Sequence, residues 1–382
     1  MCSRLAVVGA GPLVGVHHCR AVVALQNMDV ELACICEKSA EDNTASQEFA
    51  CKLYTDVRTM VMEEELDGLV LSTPTHLHLQ NALDCFSAIQ ARRAAGLSVL
   101  SALLVEKPIC ESLSAAQKLV EAAQAAGVKI LVGHQRRHSP MVRMTRDVVQ
   151  SVDFGPLRGF TAEFAIMKPD EYFSNDPRLL WRKERNKGGP ALINMIHDVD
   201  LIRYITGDDV ANVYAVMSGA ARNNEVEDTG AVTLTTQQGA IGTFFFSDAV
   251  PSPWSYEFTA RENKKYPPVG DRDCYHFMGA QRSVAFPTLE HFTYGDAKGW
   301  DEPLITTRTE VERKDPIVLQ MAHFVRLCRR EEESVCDGRD AIQSLAIVMA
   351  AIRSAETGVP VKPSQLLAES SGTVDINEST AA

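Results

Sequence analysis

Three observations predict that this 382-residue chain is an α/β protein of two domains. Over roughly the first 135 residues, short apolar runs alternate with helix-like stretches, the pattern of parallel strands joined by helical crossovers. A glycine-rich turn follows the first of those runs directly. Beyond about residue 155 a helical period gives way to alternating strands, which reads as an α+β domain with a mostly antiparallel sheet.

In chain order, the sequence predicts strands at 4–8, 30–36, 68–72, 102–106 and 128–133. Between the last two, Ser114 with Gln117 reads as a capping box, Leu119 and Val120 face inward, and Gly127 stops the helix where a left-handed residue is required. The second part shows helical periodicity over 192–205, strands at 231–236 and 241–246, and helices at 316–330 and 338–356, the last ending near Gly358 and Pro360. Residues 368–382, rich in Ser, Thr, Glu and Asp, read as a flexible tail. The expected division is therefore 1–138, 139–367 and that tail.

Composition narrows the function classes. A content of 45% hydrophobic and 23% charged residues suits a packed globular chain. Fifty acidic against 38 basic residues give a net charge of −12, which repels a nucleic-acid backbone and an anionic bilayer, so neither is an expected partner. The ten cysteines contain no C-x-x-C pair and read as thiols of a reducing compartment, hence a cytoplasmic location. The apolar run 5–16 holds three glycines and a proline and reads as no signal peptide. No run of about 18 apolar residues predicts a membrane span.

The turn Gly9-Ala-Gly11-Pro12-Leu13-Val14-Gly15 follows the first strand, where backbone N–H groups and a helix N-terminus can hold a pyrophosphate. Gly9 allows the tight turn and Gly11 the close approach, but the third glycine of G-x-G-x-x-G should stand at Val14, and Gly15 comes one place late. Glu37 closes the second strand about 22 residues beyond the turn, where a carboxylate accepts from ribose hydroxyls and repels a 2′-phosphate. NAD is thus preferred over NADP, although Lys38 could reverse the preference. Glu37 also reads as an ordinary charge at a strand end.

The pairs His17-His18 and His76-x-His78 lack the third and fourth converging ligands of a transition-metal site, and no metal is expected. Lys168, Tyr172, Phe173, Trp181 and Arg182 precede a glycine pair. Aromatic faces beside polar groups suit a polyhydroxylated ring, and equally a sheet core or interface.

Three further segments carry a family resemblance. Ser72-Thr73-Pro74-Thr-His76-Leu-His78 follows the third strand, Val105-Glu106-Lys107-Pro108 the fourth, and Gly188-Gly-Pro-Ala-Leu-Ile193-Asn194-Met-Ile-His197-Asp-Val-Asp200 lies in the second part. In this order, after the glycine turn, they resemble the Gfo/Idh/MocA oxidoreductases, as does the bridging segment Gly133-His-Gln135-Arg-Arg137-His-Ser-Pro140. The resemblance implies a Rossmann domain followed by an α/β domain whose open sheet often builds homodimers or homotetramers. It places Gly9, Gly11, Pro12, Leu13, Glu37, Ser72, Thr73, Pro74, His76, Glu106, Lys107 and Gln135 at the NAD(P) site. It also implies a sugar, cyclitol or related polyol as substrate; the pattern of aromatic faces beside polar groups makes Lys168, Tyr172, Trp181 and Arg182 the residues expected nearest to it, and helix spacing from His197 adds Asn194.

Oxidising a secondary alcohol needs a proton acceptor and a group that stabilises developing alkoxide while hydride leaves. The resemblance gives these roles to Lys107, whose ammonium can bond the substrate oxygen, and His197, whose ordinary pKa is about 6.5. Without it, a surface lysine and a core histidine are the plainer readings. Two departures stand out. The family Asp four residues before the histidine is Ile193 here, and Asn194, on nearly the same helix side as His197, can supply a hydrogen bond but no charge. The segment from His78 to Glu106 is also longer than the family crossover by roughly ten residues, around 88–103 with Arg92, Arg93 and Gly96, either an extended helix and loop or an error in the deduced sequence. The expected activity is NAD(P)-dependent hydride transfer. Redox-assisted epimerisation or glycoside cleavage, and a silent NAD(P)-binding regulator, are the alternatives.

Overall fold

The structure, a computed structural model, describes residues 2–12, 14–39, 41, 44–173, 179–185 and 187–371. Leu13 of the glycine turn and residues 372–382 of the expected tail lie outside the described residues. The chain forms two compact units, Met1–Gln135 with Pro316–Ile342, and Arg136–Asp315 with the chain from Gln343 onward.

The first unit carries six strands, β1 (Ser3–Val8), β2 (Val30–Cys36), β3 (Lys52–Tyr54), β4 (Gly68–Leu71), β5 (Ala102–Val105) and β6 (Lys129–Val132). They pair in parallel in the order β3-β2-β1-β4-β5-β6. This is the doubly wound order of a Rossmann domain, and it puts the switch of direction between β1 and β4, where loops at the strand ends diverge and leave a crevice. Five of the six strands carry the apolar runs expected of a sheet covered on both faces. The sixth, β3, escapes sequence reading because three edge residues show no period.

Helices α1 (Gly15–Ala24), α2 (Thr44–Phe49), α3 (Val57–Glu63), α4 (His78–Ala94) and α5 (Leu113–Ala126) make the crossovers. The cap of α5 is Ser112 rather than Ser114: its hydroxyl accepts from Ala115 N–H at 3.2 Å, and Ser114 lies inside the first turn. Gly127 ends α5 at φ 66° in the left-handed region, as its position predicts.

The helix over Pro316–Cys328, grouped by sequence with the second domain, packs in the first unit. Met321, Phe324, Val325 and Leu327 join Leu5, Val7, Val70, Leu104 and Leu131 in one core. A Cβ on Gly68 would lie 2.5 Å from Cys328 Sγ and 2.9 Å from Phe324 Cζ, so β4 needs glycine for this helix to seat. Apolar periodicity reveals a buried face but not which core receives it.

The long segment after His78 is an integral part of the sheet unit. It extends α4 to 17 residues and ends with Gly96 at φ 71°. Arg92 is buried and donates to the carbonyls of Ser98 at 2.7 Å and Met62 at 2.8 Å, while Arg93 donates to Ala126 O at 2.9 Å. The two guanidinium groups thus bond carbonyls at the ends of α3 and α5, where helices leave acceptors without internal partners.

The second unit is built on an eight-stranded sheet. Its strands are β7 (Leu157–Ala165), β8 (Val210–Ser218), β9 (Thr229–Thr236), β10 (Ile241–Ser247), β11 (Tyr275–Gly279), β12 (Ser283–Phe286), β13 (Glu290–Thr293) and β14 (Ile305–Arg308). The order is β14-β13-β12-β11-β7-β10-β9-β8, and all pairs are antiparallel except β10 with β7. Alternation along β9 and β10 buries Val232, Leu234, Phe244 and Phe246 and turns Ile241 and Phe245 outward. Helices α6 (Pro140–Val149), α7 (Ile196–Thr206) and the single turn α8 (Tyr256–Thr259) belong to this unit. After α9 (Pro316–Cys328) come α10 (Gly338–Thr357), whose first turn falls in the first unit, and α11 (Pro363–Ser370), which reaches into the stretch expected as tail.

Replacing Arg92 by Ala removes a buried charge and strands its carbonyl acceptors, at a cost of about 1–3 kcal/mol. Urea unfolding of Arg92→Ala is expected to show a midpoint lowered accordingly, and an unchanged midpoint would mean that the long segment is only appended to the fold.

Candidate active site

In the first unit the predicted cofactor residues gather where β1, β2, β4, β5 and β6 end. Gly9 turns the chain at φ 80°, and a Cβ there would stand 2.8 Å from Thr73 N and 2.9 Å from the Ser72 carbonyl. Ser72 completes that contact by donating its hydroxyl to Gly9 O at 2.8 Å. A Cβ on Gly15 would lie 1.9 Å from Gly9 O, so Gly15 does the work of the third glycine, close packing of helix on strand, one residue later than the usual spacing. Above Gly11 a Cβ would meet no heavy atom within 4 Å. That open side, at the N-terminus of α1, suits a pyrophosphate, whose charge the N–H groups there attract. Pro12 is exposed beside it, and Glu37 follows β2 half-buried, its N–H donating to Tyr54 O at 2.9 Å.

Glu106 ends β5 with a buried carboxylate. His18 Nε2, from α1, lies 2.8 Å from Oε1, and the backbone N–H of Lys107 donates to Oε2 at 3.1 Å. Burial raises the carboxyl pKa, but His18 and Lys107 more than offset this and hold it below the ordinary value. Gly133, after β6, has to lack a side chain because its Cβ would stand 2.8 Å from Glu106 Oε1. Glu106 therefore ties the backbone of Lys107, the half-buried residue that follows it, to His18 on the helix that begins at the glycine turn.

His78 links two of these loops. Its ring nitrogens face Thr73 O at 2.9 Å and Ile109 O at 3.1 Å. Burial lowers its pKa, although the two carbonyls that its nitrogens face work in the opposite direction. Asn81, one turn later, donates to Thr73 Oγ1 at 2.9 Å. Pro74 and His76 are exposed at the tip of the same loop, and Gln135, half-buried, ends this part of the unit.

The second unit holds the remaining candidates. Gly188 and Gly189 form a packing pair: a Cβ on the first would lie 2.0 Å from Arg182 O, and on the second, at φ 88°, 2.5 Å from Glu227 Oε1. Glu227 accepts the N–H of Ala191 at 2.8 Å and so caps the π-helical turn Ala191–Met195 that leads into α7. Within that turn Asn194 Oδ1 accepts from Lys168 Nζ at 2.6 Å. Lys168 also pairs with Asp248 at 3.2 Å and lies 4.6 Å from the centre of the Tyr172 ring. Arg182 stacks on the other candidates, 4.0 Å from Tyr172 and 5.7 Å from Trp181. The structure thus brings Lys168, Tyr172, Trp181, Arg182 and Asn194 into one cluster.

His197, buried in the first turn of α7, precedes two acids fixed by consecutive arginines. Arg137 meets Asp200 with two bonds, at 2.8 and 2.6 Å, and Arg136 bonds Asp198 at 2.9 Å as well as Glu257. Burial pushes Asp198 up to about 6 despite Arg136. Sequence reasoning quoted Arg137 and Asp200 inside motifs without assigning them this task. It missed Asp248, Arg222 and Glu227 altogether, for none stands in a recognisable local pattern. It also passed over His18 except as a metal candidate.

Residues 3–134 match the NAD-binding Rossmann domain of the GFO/IDH/MocA oxidoreductases, and residues 142–263 match a C-terminal domain of the same family. The chain belongs to the Gfo/Idh/MocA family. An uncharacterised oxidoreductase of Bacillus subtilis, YrbE, is 23% identical over 93% of this chain and 95% of its own. The scyllo-inositol 2-dehydrogenase (NAD(+)) of the same organism is 24% identical over 94% and 96%. The WlbA dehydrogenase of Bordetella pertussis, solved with NADH and UDP-GlcNAcA, shares the fold with a TM-score of 0.74 and 24% identity over 95% of this chain and 99% of that one. As a Gfo/Idh/MocA protein the chain is an oxidoreductase with a nicotinamide-dinucleotide domain. Among the described residues no helix is long and apolar enough to cross a membrane.

Proposed function

We propose that this Gfo/Idh/MocA protein transfers a hydride between NAD(H) and a hydroxyl or carbonyl of a sugar, cyclitol or related polyol, with Lys107 and His197 handling the proton. The observation that carries the reading is the buried Glu106, which fixes the backbone of Lys107 while tying it to the helix of the glycine turn. Gly9, Gly11, Pro12, Leu13, Ser72, Thr73, Pro74, His76 and Gln135 would hold the dinucleotide, and Glu37 would accept from the adenosine ribose, which favours NAD over NADP. Bound nicotinamide supplies the hydride acceptor or donor.

The ammonium of Lys107 bonds the reacting oxygen and favours its alkoxide form, and His197 takes or returns the proton. A fixed imidazole serves this better than a mobile one, and the arginine–aspartate pairs immediately after His197 hold its helix turn. The cluster of Lys168, Tyr172, Trp181, Arg182 and Asn194 binds the substrate. The relatives that act on cyclitols and sugars support this class.

The outward face of the second unit's sheet carries Tyr214, Val216, Ile241 and Phe245, all exposed. Adjacent apolar side chains of this kind mark an association surface, and we assign it to a second copy of the chain. The ten cysteines, none of them in a disulfide, support a cytoplasmic site of action.

NADH is expected to bind at least about tenfold tighter than NADPH, a difference of roughly 1.4 kcal/mol. Lys107→Ala and His197→Ala should each lower turnover of the responsive polyol by about 10²–10⁴-fold, with NADH binding retained in His197→Ala. Binding without turnover across sugars, cyclitols and dicarbonyls would favour a silent regulator. Light scattering is expected to find a dimer or tetramer that Val216→Asp with Phe245→Asp dissociates; a monomeric wild type would remove the association surface.

A further inference from the structure

Among the described residues, Arg182 is a buried cation without a counter-charge. It is 5% exposed. Among the described residues its guanidinium makes one hydrogen bond, from Nη1 to the Tyr172 carbonyl at 2.9 Å, and its buried Nε donates to nothing. No carboxylate among the described residues pairs with it. Burial lowers its pKa, but an arginine side chain stays charged. A buried charge without an ion-pair partner is costly, and folded chains ordinarily neutralise it.

The neighbouring acids are engaged elsewhere. Lys168 lies against the Tyr172 and Phe173 rings, and Arg222 stacks 4.4 Å from Phe173. Both draw on one acid, Asp248, whose two oxygens lie 3.2 Å from Lys168 Nζ and 2.9 Å from Arg222 Nε. Asp170 reaches Arg222 only at 3.7 Å and is fully exposed. Glu227, near enough to Lys168 and Asp248 to feel both, is held by the Ala191 N–H, and burial raises its pKa. Asp228, buried in the same cluster, is taken up by the backbone N–H groups of Ala221 and Arg222 at 2.8 and 2.9 Å, and among the described residues none of Asp248, Glu227 and Asp228 pairs with Arg182.

We propose that the substrate of this site is an anionic polyol, bearing a carboxylate or a phosphate, and that Arg182 binds its oxyanion. The inference rests on the dehydrogenase reading and narrows its substrate class. The Tyr172 ring packs against the guanidinium at 4.0 Å, which limits the motion of a planar donor fork suited to carboxylate or phosphate oxygens. Lys168 connects the same cluster to Asn194, three residues before His197, so the anchor is built into the segment that carries the proposed proton carrier. A neutral sugar would leave the charge and the unused donor unmatched.

The test is calorimetric binding to the NADH-loaded full chain of D-gluconate, D-glucose 6-phosphate and neutral D-sorbitol. At least one anionic probe is expected to bind tenfold or more tighter than sorbitol, about 1.4 kcal/mol, and the stronger of the two identifies the oxyanion. Arg182→Gln should bring that ratio to about one with NADH affinity unchanged. Sorbitol binding as well as both anions, no binding of any probe, or a preference that survives in Arg182→Gln would each overturn the proposal. If Arg182→Gln does not fold, the wild-type ratio decides alone. Because the readout is binding, anion preference without any NADH turnover would sink the dehydrogenase reading and leave the anion site standing.

Discussion

The buried carboxylate of Glu106 fixes three loops of the nucleotide unit at once. One oxygen meets His18 on the helix that leaves the glycine turn, the other accepts the Lys107 N–H, and the carboxylate occupies the space beside Gly133 that any side chain would need. Desolvation opposes an ionised group in such a place, and only its hydrogen bonds make the arrangement stable. The loop after β5 and the helix after β1 are therefore joined through one carboxylate. Ser72 and His78 extend the same constraint to the loop after β4, which closes over Gly9 without room for a Cβ.

In the second unit, charges do comparable work on α7. Arg136 and Arg137 meet Asp198 and Asp200 in the turn that bears His197, and Ser344 donates to Asp200 at 3.1 Å. These buried pairs add conformational definition more than net stability, since desolvation consumes much of their attraction. The contrast with Arg182 is instructive. The same unit supplies partners for its other buried arginines and leaves that one without a carboxylate among the described residues.

Much of this was legible in the amino-acid order. Apolar runs marked five strands of the parallel sheet, Gly127 and Gly358 marked helix ends, and Gly9, Gly11 and the Glu106-Lys107-Pro108 turn marked loops that gather at the ends of that sheet's strands. The misses share a physical origin. Three residues of β3 are too few to show a period, and Ser112 and Ser114 offer the same capping chemistry two positions apart. The periodicity of α9 announces a buried face without naming the sheet that buries it. Gly15 looked misplaced by one residue because the motif counts positions, whereas packing counts the distance to Gly9 O. Asp248, Arg222 and Glu227 meet Lys168 and Ala191 only after the chain has crossed the sheet. Arg92 and Arg93 were visible as an insertion, but their carbonyl partners belong to helices α3 and α5.

The coupling of His18 to Glu106 tests the central claim, that this buried pair organises the cofactor cradle and the Lys107 loop together. NADH dissociation constants for wild type, His18→Ala, Glu106→Gln and the double variant form a closed cycle. The single changes are expected to weaken NADH binding, with the double variant little worse than either and a coupling energy of about 0.5–3 kcal/mol. Strictly additive losses, or an NADH affinity indifferent to Glu106→Gln, would contradict it, and the cradle would then depend on the glycine turn alone.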